Sequence, residues 1–341
     1  MSISAAYMTS RISMTLPPKL AAIAAAQGGP FTTAQALNAG FDEREIYRLM
    51  KSGTWVRLRR GVYAGRIVVP DDELGRHVLQ LRAALLTLHH QAAASHVTSA
   101  ALHNISLLDA DFSHVHITRE GCGSSRTEAG ICHHDASLPA GHLTKVGDIV
   151  ATTAARAVLD IARTNTLPAE LVAAESALQL ELTTRAELRE VLQYCVDWPG
   201  ARDASRVVSF ASTFSESAGE SLARLAFDSL GLPAPLQQVE IYDNAGFVAR
   251  LDFLWDEMHT AGEFDGRLKY TNADPDVLYK EKLREDRLRD AGIEVFRFGW
   301  MDAYACSPSI RRKAVDAFAR AAHRTTRPSL RIKKPLSDDD R

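Results

Sequence analysis

Cysteine is scarce in this chain: four residues, Cys122, Cys132, Cys195 and Cys306, are scattered over 341 positions. That spacing builds no disulfide framework and fits a protein kept in a reducing cytoplasm. Long apolar runs are also missing. No stretch reaches the length that crosses a bilayer, and the first residues have neither the basic start nor the apolar core of a signal peptide, so membrane roles are set aside. Net charge is nearly absent: a formal value of -2 excludes a uniformly basic coat for nucleic acid but leaves room for local basic patches. What is present is ordinary for a globular protein, with 46% hydrophobic and 24% charged residues. The length predicts roughly two to three domains.

Pro17-Pro18 opens an Ala-rich helix over Lys19–Gln27, stopped by Gly28-Gly29-Pro30. Thr32 or Thr33 caps a short helix through Asn38. Asp42 begins a third helix, with Glu45 completing a capping box and Ser52-Gly53 ending it. The outer face of this third helix carries Arg44, Arg48 and Lys51. The alternating segment Trp55–Tyr63 then presents Arg57, Arg59 and Arg60, with Gly61 suited to a hairpin turn. Three short helices and a basic hairpin predict a winged helix-turn-helix over residues 15–66, whose third helix enters the major groove while the wing touches phosphates. The alternative is a winged helix used for protein contacts, its arginines only solvated. Residues 17–64 resemble the N-terminal winged-helix domain of AbiEi-type antitoxins from type IV toxin-antitoxin systems. That resemblance implies DNA binding at promoter-type sites.

Residues 72–200 read as a mixed α/β middle domain and resemble, more weakly, the rest of AbiEi-type proteins. His77–His90, Ala93–Ile105, Thr152–Arg163 and Pro168–Leu180 have helical patterning, and His114–Thr118 and Gly130–His134 alternate as strands. Cys122, Cys132, His133, His134 and His142 contain the atoms of a zinc site, but no C-x-x-C or H-x-x-x-H spacing organises them. Ser95-His96 and Ser99 with His103 suggest a nucleophile and a base. They lack an acid partner and a Gly-x-Ser-x-Gly elbow, so they are expected to be helix-surface residues.

Trp198-Pro199-Gly200 marks a boundary. Beyond it the order is a helix from Glu220 to Leu230, strands over Gln237–Tyr242 and around Asp252, a strand with Glu263 and Asp265, a charged helix from Pro275 to Ala291, and the strand Ile293–Phe298. In a strand Glu263 and Asp265 share a face, and like charges held so close call for a cation. This order over residues 215 to about 302 resembles the PD-(D/E)xK restriction-endonuclease-like α/β/α fold, in the branch related to very-short-patch-repair endonucleases, and the domain is expected to span 215–323. The matching residues are Glu220, Asp252, Glu263-x-Asp265-Gly266, the helix around Glu281–Arg287 and the strand Val295–Phe298.

The resemblance implies phosphodiester hydrolysis at a Mg2+ (or Mn2+) held by Asp252 and Glu263 and supported by Glu220. Asp265 stands where the motif has lysine, so Lys282 or Lys269 is expected to supply that charge, and Gln237 or Gln238 to touch the site according to strand register. Arg311–Lys313 and Arg331–Lys334 extend a basic track, and residues 324–341 are expected to be a disordered tail. Taken together, a cytoplasmic DNA-binding, metal-dependent endonuclease is expected in a prokaryotic defence or toxin-antitoxin setting, with a cognate toxin or defence partner. RNA remains a possible substrate. The alternative is a non-enzymatic AbiEi-like antitoxin or repressor with an inactive nuclease-fold domain. Oligomeric state is not encoded in these patterns.

Overall fold

The computed structural model describes residues 16–88, 90–121, 123–266, 275–324 and 330–335, with the side chains of 275–281 left aside. The chain divides into two compact units at Ile161/Ala162. That division falls within 72–200, the stretch expected to form one middle module: its strands lie in the first unit and its helices from Leu167 onward in the second.

The first unit opens with α1 (Pro18–Ala26), β1 (Phe31–Thr32), α2 (Thr33–Asn38), α3 (Glu43–Lys51), β2 (Trp55–Arg59) and β3 (Val62–Gly65). Two capping boxes set the helix starts. Thr32 Oγ1 accepts from Gln35 N at 3.2 Å while the Gln35 side chain accepts from Thr32 N at 2.8 Å. Asp42 Oδ1 likewise accepts from Glu45 N at 2.7 Å, with Glu45 Oε2 accepting in return at 3.1 Å. The turn at Gly61 takes φ +74, a left-handed conformation that glycine adopts without strain, and brings β3 back between β1 and β2. Leu20, Phe31, Ile46 and Trp55 fill the core beneath, Phe31 and Trp55 meeting edge-on at 4.7 Å.

The rest of the first unit is a six-stranded sheet with α4 (Glu73–Leu85), α5 (His96–Leu102) and α6 (Ala154–Ala162). Its strands β4 (Ala93–Ala94), β5 (Val115–Arg119), β6 (Arg126–Glu128), β7 (Ile131–Asp135), β8 (Leu143–Val146) and β9 (Ile149–Thr152) lie in the order β6-β7-β5-β4-β9-β8. The pairs β5/β7 and β4/β9 are parallel. Leu81, Val115, Ile117, Ile131 and Ile149 form its core.

The second unit holds α7 (Leu167–Gln179), α8 (Arg185–Tyr194), α9 (Ala201–Phe210) and α10 (Ala218–Ser229), then a five-stranded sheet. Its strands are β10 (Leu236–Asp243), β11 (Gly246–Trp255), β12 (Thr260–Asp265), β13 (Glu294–Gly299) and β14 (Arg331–Lys333), in the order β13-β12-β11-β10-β14. Only the β12/β13 pair is parallel, as a strand pair joined by a helical crossover, α11 (Pro275–Asp290), allows. Two further helices follow, α12 (Trp300–Tyr304) and α13 (Pro308–Ala322). A β-carbon at Gly219 would overlap the ring of Phe264, so glycine lets α10 lie against β12. The expectation of a disordered tail is corrected at Arg331–Lys333, which pairs with β10 because Leu330 and Ile332 pack on the sheet core.

Glu170, at the start of α7, is 2% exposed. Burial, reinforced by Asp203, raises its carboxyl to about 7. The native state therefore keeps a proton that the unfolded chain releases, and this group's contribution to stability falls as pH rises from the ordinary carboxyl range through about 7. Glu170→Gln is expected to raise the melting temperature at about pH 8 and to change it little at about pH 5. Thermal melts across that range check this, and a pH-independent difference contradicts it.

Candidate functional site

The acids of the second unit meet at one end of its sheet. Ser217 caps α10 and places Glu220 in the first turn. There the Glu220 carboxylate accepts from Glu216 N at 3.0 Å, from the Ser217 hydroxyl at 2.8 Å and from Gln238 Nε2 at 2.9 Å. Gln238 reaches it from β10 with φ +49, a conformation that costs a non-glycine residue about 1–3 kcal/mol and tends to mark functional positions. Its neighbour Gln237 turns instead to Ser212 and Ser215. Burial pushes the Glu220 carboxyl up, and the charge of Asp252 adds to the rise.

Asp252 lies where the ladder between β11 and β12 stops, just past the pair Phe253–Gly262. Its Oδ2 accepts the Phe264 N–H at 2.9 Å, in place of a strand partner. Glu263, 9% exposed, sits across the parallel ladder from Arg297, whose Nη2 is 3.4 Å from Oε2. Arg284 of α11 forks onto both Glu263 oxygens at 2.8 and 2.9 Å. Asp265 is half-buried opposite Gly299 at the strand end. Lys282 is exposed. Two residues along a helix amount to about 200°, so a helix that turns Arg284 toward the sheet turns Lys282 away from it. Lys269 lies outside the described residues.

The hard oxygen donors are of the type Mg2+ takes, but the arrangement does not fit a resident Mg2+. A guanidinium fork engages both Glu263 oxygens, a second arginine stands beside them, and Glu220 is engaged by three donors. Among the described residues, no three carboxylates bring their oxygens within 4.8 Å of one another. Beside Gln238 opens a cleft of about 440 Å³, lined by Glu216, Glu240, Arg250 and Lys333 among others. Arg250 pairs with Glu216 at 2.7 Å and Lys333 with Glu240 at 3.0 Å.

In the first unit, Arg44, Arg48 and Lys51 recur at the i, i+4, i+7 spacing on α3, and all are exposed. Ile46, on the other side of the helix, is buried. Arg57 and Arg60 are exposed on the adjoining hairpin, and Arg59 is half-buried. Arg48 pairs loosely with Glu45 at 3.8 Å, an exposed contact of little energetic weight. The cations therefore form a stripe on α3 continued by the hairpin.

Residues 18–64 match the family of transcriptional regulators described as AbiEi antitoxin. The basic stripe lies inside this AbiEi-like segment. Over 281 residues the chain is 27% identical to two uncharacterized proteins of Mycobacterium tuberculosis, Rv2248 of strain ATCC 25618 / H37Rv and MT2308 of strain CDC 1551 / Oshkosh. Each alignment covers 82% of this chain and 96% of the relative. A solved structure, that of the RV2827C protein from Mycobacterium tuberculosis, aligns with TM-score 0.40 and 15% identity over 59% of this chain and 76% of that one.

Two features escaped the sequence reading. The partner of Glu263 is an arginine of α11, and its signal was the spacing of Arg284 and Arg287 on one helix face, since Arg287 likewise reaches Asp243 at 2.8 Å. Ser95, His96 and Ser99 are buried rather than on a helix surface, because α5 packs on the sheet. Ser99 donates to the Thr152 carbonyl at 2.9 Å, and His103 Nε2 meets the same oxygen at 2.9 Å.

Replacing Arg284 with Met removes the fork and, among the described residues, leaves Arg297 as the cation beside Glu263. The loss is expected to be about 1–3 kcal/mol, below the cost for a fully buried pair because the fork is partly exposed. Glu263→Gln in the Arg284→Met background is expected to recover part of it. A double-mutant cycle in urea measures the coupling, and a value near zero contradicts the fork.

Proposed function

We propose that this chain is a DNA-binding transcriptional regulator of AbiEi antitoxin type, and that its second unit is a PD-(D/E)xK-like domain that binds rather than cuts. The observation that carries the reading is the exposed stripe Arg44, Arg48 and Lys51 on α3, continued by Arg57 and Arg60 on the hairpin, inside the segment that matches the regulator family. The order α1-β1-α2-α3-β2-β3, with its antiparallel sheet, supports a winged helix in which α3 is the reading helix and β2–β3 the wing. Arginines at that spacing neutralise phosphates and give affinity, while one or two of them contact base edges. A prokaryotic defence or toxin-antitoxin setting, with a cognate toxin, accords with that family.

Hydrolysis by the second unit is the competing reading. It has one specific support: Glu220, Gln238, Asp252 and Glu263 gather where the β11/β12 ladder stops. Against it stand the Arg284 fork and Asp265 in the lysine's place. A basal enzyme would require Arg284 to leave Glu263.

Fluorescence anisotropy on DNA from the chain's own promoter tests the regulator. Arg48→Ala is expected to weaken binding about tenfold and to lower the slope of log K against log salt by about 0.9 for each phosphate it no longer neutralises. Unchanged affinity in Arg44→Ala, Arg48→Ala and Arg57→Ala would remove the reading helix from the interface. In parallel, supercoiled, linear and single-stranded DNA and RNA are expected to stay intact with Mg2+ or Mn2+. Cleavage that disappears in Asp252→Ala and Glu263→Ala would replace the binding reading with the hydrolytic one.

A further inference from the structure

We propose that His96, His116 and His134 bind one Zn2+ ion in the first unit, with Ser95 and Asp160 orienting His96. Among the described residues these three form the one group of metal-capable side chains whose ligand atoms all lie within 4.8 Å of one another. Two come from neighbouring strands of the sheet and the third from the helix that follows the next strand. His134 is on β7 and His116 on β5, two positions apart in a parallel register that pairs Thr118 with His134, so both point to one face. His96 is the first residue of α5, one residue after β4, which pairs with β5. No spacing within a single segment announces such a site. Cys132 and His133, close to His134 in sequence, do not belong to it: Cys132, paired with His116 across the strands, meets the Thr127 hydroxyl at 3.3 Å, and His133 is buried toward the opposite face.

The nitrogens are nearly placed. Zn2+ bound at about 2.1 Å to each imidazole holds its ligand nitrogens about 3.4 Å apart. His116 Nδ1 and His134 Nε2 are already 3.0 Å apart. The His96 ring stacks on His134 at 3.7 Å and 18°, and it must tilt out of that stack to turn a nitrogen on the ion. Its other nitrogen is directed for this. Nδ1 of His96 faces the Ser95 hydroxyl at 3.0 Å and Asp160 Oδ2 at 3.9 Å, which leaves Nε2 as the ligand. A carboxylate behind a metal-ligating imidazole is the usual supporting group of such sites. Asp160 is itself fixed by Arg156, whose Nε lies 3.0 Å from both carboxylate oxygens.

A second, independent observation concerns the backbone. His96 is buried and has φ +52, a conformation that a bulky residue adopts only when its surroundings enforce it. Thr98 holds the other side of the cluster: its hydroxyl accepts the His116 N–H at 2.8 Å and donates to His77 Nε2 at 2.9 Å, while His77 Nδ1 donates to the Phe112 carbonyl at 3.2 Å. Imidazole donors select zinc and its neighbours over Mg2+ or Ca2+. His116 and His134 are half-buried, so a fourth position on the ion faces outward to water or an exchangeable ligand.

The test uses the full-length chain without a histidine tag, stripped with chelator and titrated with Zn2+ by calorimetry and with Co2+ by visible absorption. One ion per chain is expected, with the d–d bands of a low-coordinate, nitrogen-ligated Co2+. His116→Gln and His134→Gln are expected to weaken binding at least 100-fold, and Asp160→Asn by about tenfold, as removal of a supporting carboxylate does. His133→Gln, on the same strand but the other face, is expected to bind like the parent, and Glu263→Ala likewise, which separates this site from the acid pocket of the second unit. Circular dichroism checks that each variant folds, and the Co2+ spectrum of the parent stands without any variant. Absence of uptake by the parent, or equal affinity in folded His116→Gln and His134→Gln, would overturn the proposal.

Discussion

A carboxylate taken out of water must be met by a cation or by several donors, and this requirement shapes both units. Asp160 is fully buried and answered by Arg156 one helical turn earlier. Glu175, also fully buried, is answered by Arg224 of α10 and by Ser212 N at 3.0 Å, and burial still pushes its carboxyl up. Glu263 is answered by Arg284, while Glu220 is met by Gln238, Ser217 and a backbone N–H. Beyond the Asp160 pair, which lies within one helix, each pairing joins two stretches of chain at one geometry: α7 to α10, α11 to β12, α10 to β10. Because desolvation offsets most of the attraction, such pairs add little net stability, yet losing one partner strands a charge.

The same requirement explains the reading of the acid pocket. Three carboxylates on neighbouring elements look the same in sequence whether a metal ion or guanidinium groups neutralise them. What distinguishes the two is the direction of side chains on α11, and the weight given to lysine at that helix overlooked arginine, whose planar fork matches both oxygens of a carboxylate. The arrangement answers Glu263 with positive charge from two arginines and the still more buried Glu220 with neutral donors.

Much of the fold was legible where local chemistry decides it. Thr32 and Asp42 announced their helices through Gln35 and Glu45, Gly61 announced the hairpin, and Ser217 announced α10. The order of elements from Glu220 to Phe298 followed from period and punctuation. Interactions distant in sequence were not legible. The histidine cluster draws on residues 96, 116 and 134, joined only by the order β7-β5-β4, and a linear reading grouped His134 with its own neighbours instead. Burial of α5 was missed for a related reason: Ser, Thr and His on that helix look polar until their hydrogen bonds to Thr152 and His77 are seen. The strand at Arg331–Lys333 was hidden by its charge, since only Leu330 and Ile332 face the sheet.

That last strand has a consequence for handling the protein. β10 would otherwise be an edge, presenting unpaired backbone groups along Glu240–Tyr242 beside a core of Val239, Ile241 and Val248. Exposed strand edges recruit other chains, and a short, lysine-bearing strand is among the devices that blunt them. A version of the chain cut after α13 would keep its core but lose this cover, and would tend to pair with copies of itself edge to edge. Arg331–Lys333 thus covers an edge that would otherwise invite self-association.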